Sequence, residues 1–247
     1  DIGIYYKTPN DQYDLLDEAQ ARGFERDQHR VNSYLGLSYK IKQVTLSAGV
    51  NGLWQSIHNE FKKLAAPTRT TLFDVLPSFS LNWKQLSAQV NRSVTAPAIS
   101  NLIPVPDSTN PFFIRYGNPD LKPARRTSFY VSNFSFLQGS GTSYNIYMNG
   151  TFTDDDVVMS RTVLPNGVQV TKPVNASGSF NMYAGIGFGK EFKNKQKFIF
   201  SFRFSPYINY DRRKLIVNNN VSTASSFNLG PNFNLSFNWN NKVEMRP

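Results

Sequence analysis

Strict alternation of apolar and polar side chains, renewed many times along the chain, constrains the fold of this sequence more than any other feature. From Val44 to Val50 the even positions are Val44, Leu46, Ala48 and Val50, and the odd ones are Thr45, Ser47 and Gly49. Successive side chains of a strand point to opposite faces, so such a run makes a strand with one greasy face and one polar face. The same division recurs at Leu86, Ala88 and Val90 against Ser87, Gln89 and Asn91, and at Tyr144, Ile146 and Met148 against Ser143, Asn145 and Asn149. It is strongest where Phe198, Phe200, Phe202 and Phe204 alternate with Ile199, Ser201, Arg203 and Ser205. Phe227, Leu229, Phe233, Leu235 and Phe237 alternate in the same way with Asn228, Gly230, Asn232, Asn234 and Ser236. The pattern predicts strands near 31–41, 43–54, 70–83, 85–94, 126–137, 143–153, 178–190, 197–210 and 225–239, with partial strands at both ends. Helix is supported only by a weak polar patch between Leu15 and Arg22.

The connections between these runs alternate in length. Short turns are expected at Lys40 to Gln43, Trp83 to Gln85, Leu137 to Thr142, Lys190 to Lys197 and Trp239 to Lys242, and long loops near 55–69, 95–125, 154–177 and 211–224. A further loop is expected between Thr8 and Arg30. A soluble sandwich has no reason to sort its loops by length, whereas an outer-membrane barrel has short periplasmic turns on one rim and long extracellular loops on the other. The alternating runs also reach the ~9–11 residues of a tilted membrane-spanning strand, against ~5–6 for a strand in a soluble sheet. The reading is therefore all-β, an antiparallel transmembrane β-barrel segment with short turns confined to one rim.

Polarity assigns the faces. Apolar residues make up 40% of the chain, but no run approaches the ~20 that a membrane helix needs. Stacked Phe on one face and Ser, Asn, Gly and Arg on the other suit lipid outside and water inside. Trp83 and Trp239 stand just before short turns, where an indole belongs in an interfacial aromatic belt. Lys40, Lys42, Lys84, Lys190, Lys193, Lys195 and Lys197 gather at the short turns, and Arg125, Arg126, Arg212 and Arg213 flank expected long loops. The formal net charge of +10 thus reads as charge collected where strands leave hydrocarbon. It forms no basic stripe or known module, so no nucleic-acid partner is expected. The chain contains no cysteine, which excludes a disulfide framework and a thiolate metal site.

No catalytic constellation emerges. The sequence lacks a Gly-rich phosphate loop with its Lys, a His-Glu-x-x-His helix and a Gly-x-Ser-x-Gly elbow, so neither catalytic residue nor cofactor is expected. His29 and His58 are the only histidines and read as exposed loop residues. Asp154, Asp155 and Asp156 offer oxygen ligands but lack the alternate spacing and distal Glu of a calcium loop, and read as a solvated acidic loop. With Arg161 and Arg203, these three form the candidate substrate-contacting set of loop and lumen.

The stretch FIRYGNPDLKPARR, Phe113 to Arg126, closes the longest expected loop. Gly117 and Pro119 bracket a turn and Pro123 stops strand pairing just before Phe129, Tyr130 and Val131 resume it. An anion cradle would need consecutive free N–H groups, and the two prolines remove two of them. Gly117, Asn118, Pro119, Asp120, Leu121, Lys122 and Pro123 resemble the Gly-Asn-Pro-x-Leu-x-Pro-Glu signature that precedes a barrel strand in TonB-dependent outer-membrane receptors. Ala124 stands where the signature carries an acidic residue. LPSFSLNWK, the stretch from Leu86 to Pro111, RVNSYLGLSYKIKQVTLSAGVNGLWQS and PVNASGSFNMYAGIGFGKEF resemble the Bacteroidetes-type outer membrane protein β-barrel family, so the likeness spans most of the chain.

The resemblance implies energy-coupled uptake of a bulky nutrient of the siderophore, cobalamin, glycan or peptide class. It implies a barrel of about 22 strands closed by a plug, with a TonB complex pulling on that plug and a surface lipoprotein as a further partner. No plug is expected within residues 1–247, which read as roughly half of such a barrel. Two alternatives remain, a complete small barrel serving as adhesin or anchor, favoured by pairing of the first and last strands, and a soluble all-β module with the Phe stripes as its core. Within one strand, Phe202 is expected to face lipid and Arg203 the lumen. Phe202→Arg should then cost about 2–4 kcal/mol near the bilayer midplane and less near a rim.

Overall fold

The computed structural model describes residues 5–6, 15–16, 23–62, 65–104, 106–137, 139–194, 198–239 and 243–245. Two short strands, β1 (Tyr5–Tyr6) and β2 (Leu15–Leu16), pair with each other alone. All other strands among the described residues lie in one 16-stranded sheet. Its wall is a meander of long strands: β3 (Gly23–Ile41), β4 (Val44–Lys62), β5 (Ala65–Trp83) and β6 (Leu86–Thr95). After a long excursion containing β7 (Asp107–Asn110) and β8 (Phe113–Arg115), it continues through β9 (Ala124–Leu137) and β10 (Thr142–Asp154). A second excursion holds β11 (Asp156–Val163) and β12 (Gln169–Ala176). The wall then completes itself with β13 (Ser179–Asn194), β14 (Phe198–Phe204), β15 (Tyr207–Val217), β16 (Asn220–Gly230), β17 (Phe233–Trp239) and β18 (Val243–Met245).

Sequential wall strands pair antiparallel, and two apparent breaks are continuous in register. Phe204 pairs with Phe233 and Tyr207 with Gly230, so β14 and β15 form one strand, β16 and β17 another, and Pro206 stands opposite Pro231 at the interruption. Neither proline has an N–H to give to the ladder. Ser205 N–H reaches the Asn232 carbonyl at 2.7 Å and Ile186 N–H the Pro206 carbonyl at 3.2 Å, and these bonds hold the seam.

The short turns are staggered across the wall, in two steps of four residues. Val44 is level with Trp83 and Leu86 with Asn133, but the next turn lies four residues further on, at Leu137 and Thr142. Lys190 is level with Thr142, and the turn after that lies four residues beyond it, at Asn194 and Phe198, level with Trp239 and Val243. That stagger is about one residue per strand. With ~3.3 Å of rise per residue and ~4.8 Å between strands it corresponds to strands tilted by roughly 35° from the perpendicular to the line of turns. Barrel strands tilt by ~35–45°.

The sheet has the two faces expected of a membrane wall. Val131, Ile146, Met148, Ala184, Ile186, Ile208 and Leu229 share one side, and Phe227, Leu229 and Phe233 are 63%, 66% and 60% exposed. No second sheet covers these stripes among the described residues. Their counterparts are Ser80, Gln89, Tyr130, Asn149, Tyr183, Asn209 and Asn228 on the other side. Trp83 and Trp239 are exposed beside their turns. Lys190, which projects from the apolar side near the short-turn rim, bends its ammonium back to the Ser140 carbonyl at 2.7 Å and the Thr142 hydroxyl at 2.9 Å. Such snorkelling keeps the charge wet while the stem lies on grease.

Two expectations need correction at the far rim. The loops placed near 55–69 and 211–224 are strand almost throughout, because β4 and β5 are joined across residues 63–64 and β15 and β16 across residues 218–219. Short turns therefore occur on both rims, and among the described residues only the excursions after β6 and β10 are long. A hairpin beyond the membrane is wet on both sides and satisfies its backbone through its own ladder, so it needs no apolar alternation. For the same reason His29 and His58 lie within β3 and β4, not in loops, and Arg212 and Arg213 lie within β15. Asn218 and Asn219 adopt φ of 49° and 65°, the left-handed pair that a two-residue hairpin turn demands and that Asn tolerates. Leu15 and Leu16 are strand where a weak helix signal stood, and residues 17–22 of that patch lie outside the described residues.

Candidate functional site

The inward face carries a cluster of tyrosines. Tyr147 stacks on Tyr183 with ring centroids 5.5 Å apart, and Tyr183 meets Tyr207 at 5.5 Å. The Tyr147 and Tyr183 hydroxyls are 3.3 Å apart. Gly185 is in register with both Tyr147 and Tyr207. A Cβ on Gly185 would collide with the Tyr147 ring, so the bare backbone is what lets that ring lie against the sheet. These rings stand at odd positions among polar neighbours. The alternation therefore marks them as inward, though a search for charged or catalytic residues passes over them.

Arg203 lies on the polar face of the sheet. It is exposed, in register with Gly189 and Asn234, and borders a recess of about 540 Å³ with Glu191, Ser201, Asn234 and Ser236. This recess lies toward the short-turn rim. Asp154, Asp155, Asp156 and Arg161 lie at the far rim, so the structure does not bring Arg203 together with them.

The acidic triplet is divided by a corner. Asp154 ends β10, Asp155 takes φ of 54° and Asp156 opens β11. Asp155 donates its N–H to the Ser177 hydroxyl at 2.9 Å, and its carboxylate accepts from Arg125 Nη1 at 3.2 Å. Arg125 Nε reaches Asp74 on β5 at 2.7 Å. One guanidinium thus ties β9 both to the β5 wall and to the corner, in the planar forked geometry that suits Arg. Arg161 is exposed on β11, and its carbonyl accepts from Asn218 N–H at 2.8 Å.

The signature turn belongs to a folded excursion. Leu102, beside a single turn of 3-10 helix at Ile99–Asn101, buries against Leu121, with Val157 of β11 packed on them. Any Cβ on Gly117 would collide with the Ile103 backbone, which gives that glycine a packing role. Asn118 Oδ1 accepts from Asp120 N–H at 3.2 Å within the turn, and its Nδ2 donates to the Pro173 carbonyl at 3.0 Å. Lys122 N–H donates to Asn175 Oδ1 at 2.8 Å, and Asn175 Nδ2 donates to the Lys122 carbonyl at 2.9 Å and to the Asp155 carbonyl at 2.8 Å. Asn175 and Asp74 are partners that no local pattern identifies.

The family model for the outer membrane protein beta-barrel family matches residues 1–246. The chain belongs to that family. It resides in the outer membrane of a Gram-negative bacterium and forms part of a β-barrel wall. Among solved structures it is similar to the siderophore receptor PirA from Pseudomonas aeruginosa, at 10% identity and a TM-score of 0.43, covering 89% of this chain and 52% of that one. It is also similar to the FrpB iron transporter from Neisseria meningitidis, at 12% identity and a TM-score of 0.44, covering 89% of this chain and 39% of that one. The chain thus spans about half, or less, of the solved chains it resembles. No curated protein matches it.

Proposed function

We propose that this family member supplies roughly half the wall, and part of the extracellular mouth, of a TonB-dependent receptor for a bulky nutrient. The plug on which TonB would pull is taken to lie outside residues 1–247. The observation that carries this reading is the open wall itself: tilted, two-faced and meandering from β3 to β18, with those two strands not paired to each other. A small closed adhesin barrel would pair them. The signature at Gly117–Pro123 adds the receptor resemblance, and the inward Tyr cluster and Arg203 supply polar and aromatic lumen surface. In this reading the chain binds and conducts without chemical turnover.

The test is uptake of labelled nutrient by cells carrying the intact protein. Deletion of TonB should reduce uptake to background while the amount of receptor in the outer membrane is unchanged. Undiminished uptake would replace the receptor reading with a passive pore or an adhesin.

A further inference from the structure

The hairpin of β11 and β12 leaves the wall at Asp155 and returns at Gly178, residues with φ of 54° and 100°. A lone two-stranded hairpin is marginal in water, but here both edges are occupied. β11 pairs in parallel with the end of β15 through Ser160 and Arg161, and β12 pairs in parallel with β8 through Gln169, Val170 and Thr171. Beyond Thr171 the β8 ladder stops, and Pro173 has no N–H to extend it. Side chains take over from the ladder at that point. Asn118 holds the Pro173 carbonyl, and the Asn175 amide both accepts from and donates to the Lys122 backbone, as a neighbouring strand would. Its third bond, to the Asp155 carbonyl, ties in the corner where the hairpin begins.

We propose that the signature turn and Asn175 form a clasp that seats the β11–β12 hairpin on the long excursion, so that both open or close as one unit at the mouth. Pro119 and Pro123 fix two φ angles of the turn in advance, and Gly117 allows the close approach to Ile103. The clasp gives the signature a positioning role. It presents Arg161 and the hairpin tip at Leu164–Val168 as a set part of the mouth, not a free loop. This proposal stands whether or not the barrel depends on TonB.

The experiment is hydrogen exchange by mass spectrometry on the intact protein in liposomes, comparing parent, Asn175→Leu and Asn118→Ala. Asn175→Leu removes the bonds to Lys122 and Asp155 without adding charge. Asn118→Ala removes the bond to Pro173 from the opposite side of the seam. Each lost bond is worth up to about tenfold in local opening. Amides in 112–123 and 156–176 should therefore exchange about tenfold faster together in both variants, while 124–154 and 179–217 keep the parent's rates. Trypsin cleavage after Arg161 should accelerate in parallel. The clasp is overturned if neither segment changes, if only the mutated segment changes, or if the wall strands lose protection equally. Should Asn175→Leu fail to insert, the Asn118→Ala result decides by the same criteria.

Discussion

Replacing Phe204 by Arg should destabilise the intact barrel by about 2–4 kcal/mol, the cost of carrying a cationic side chain to mid-bilayer on the lipid face. Phe204 pairs with Phe188 and Phe233, stacking on the latter with centroids 4.6 Å apart, well inside the wall. Phe202 lies nearer the short-turn rim, level with Lys190, so Phe202→Arg should cost about 1–2 kcal/mol, between the midplane and interface values. Arg203→Ser should change stability by only a few tenths of a kcal/mol, because an exposed charge on a wet face gives up little when removed. Urea-dependent folding into liposomes ranks the variants. The ordering Phe204→Arg, Phe202→Arg, Arg203→Ser follows from depth and face together, and no ordering by side-chain size reproduces it.

Arg125→Met should cost about 3 kcal/mol. The reason is the partner left behind. Asp74 has a side chain only 10% exposed and accepts from Arg125 at 2.7 Å, and removing one member of a largely buried pair leaves an uncompensated charge, at ~3–5 kcal/mol when burial is complete. Arg125 is itself 28% exposed, which puts the expectation at the lower end of that range. Adding Asp74→Asn to Arg125→Met should recover part of the loss, and a double-mutant cycle in urea reads the coupling. By contrast, Lys193 with Glu191 and Arg213 with Asp211 pair in the open, at 61% and 65% exposure of the cation. Neutralising either should cost no more than about 0.5 kcal/mol.

The wall strands were legible because lipid on one side and water on the other force period-two alternation on every residue between them. Phe198 to Phe204 and Phe227 to Phe237 declare their faces without any knowledge of neighbours, and the structure pairs them accordingly. That force ends at the membrane surface. Asn59 to Lys62 and Ala65 to Thr71 show no alternation and still extend a long hairpin, because its stability comes from backbone pairing. Two local signals were nonetheless available there. Asn218-Asn219 is a left-handed turn pair, and Asn166-Gly167, with Gly167 at φ of 82°, closes the β11–β12 hairpin in a stretch that reads as a plain loop.

The far-rim contacts are of another kind. Parallel pairing of β12 with β8 and of β11 with β15 joins segments more than fifty residues apart, and no periodicity reports it. Asn175 is one Asn among many until Lys122 is placed beside it. The acidic run at Asp154–Asp156 drew notice as a cluster, yet its architectural member is Asp155 alone, through its corner conformation and its bond to Arg125. Composition identifies candidate chemistry there, and only the fold separates a substrate contact from a brace.

A membrane wall has lipid on one face and a wet lumen on the other, and cysteine scanning from Phe200 to Phe204 separates the two faces residue by residue. The chain has no cysteine of its own, so each introduced thiol is unique within it. In the intact protein in liposomes, thiols at Ser201 and Arg203 should react with a membrane-impermeant maleimide. Bimane probes at Phe200, Phe202 and Phe204 should be quenched by brominated acyl chains and shielded from the aqueous reagent. Uniform reactivity along the strand, or quenching at 201 and 203 in place of 200, 202 and 204, would contradict the account.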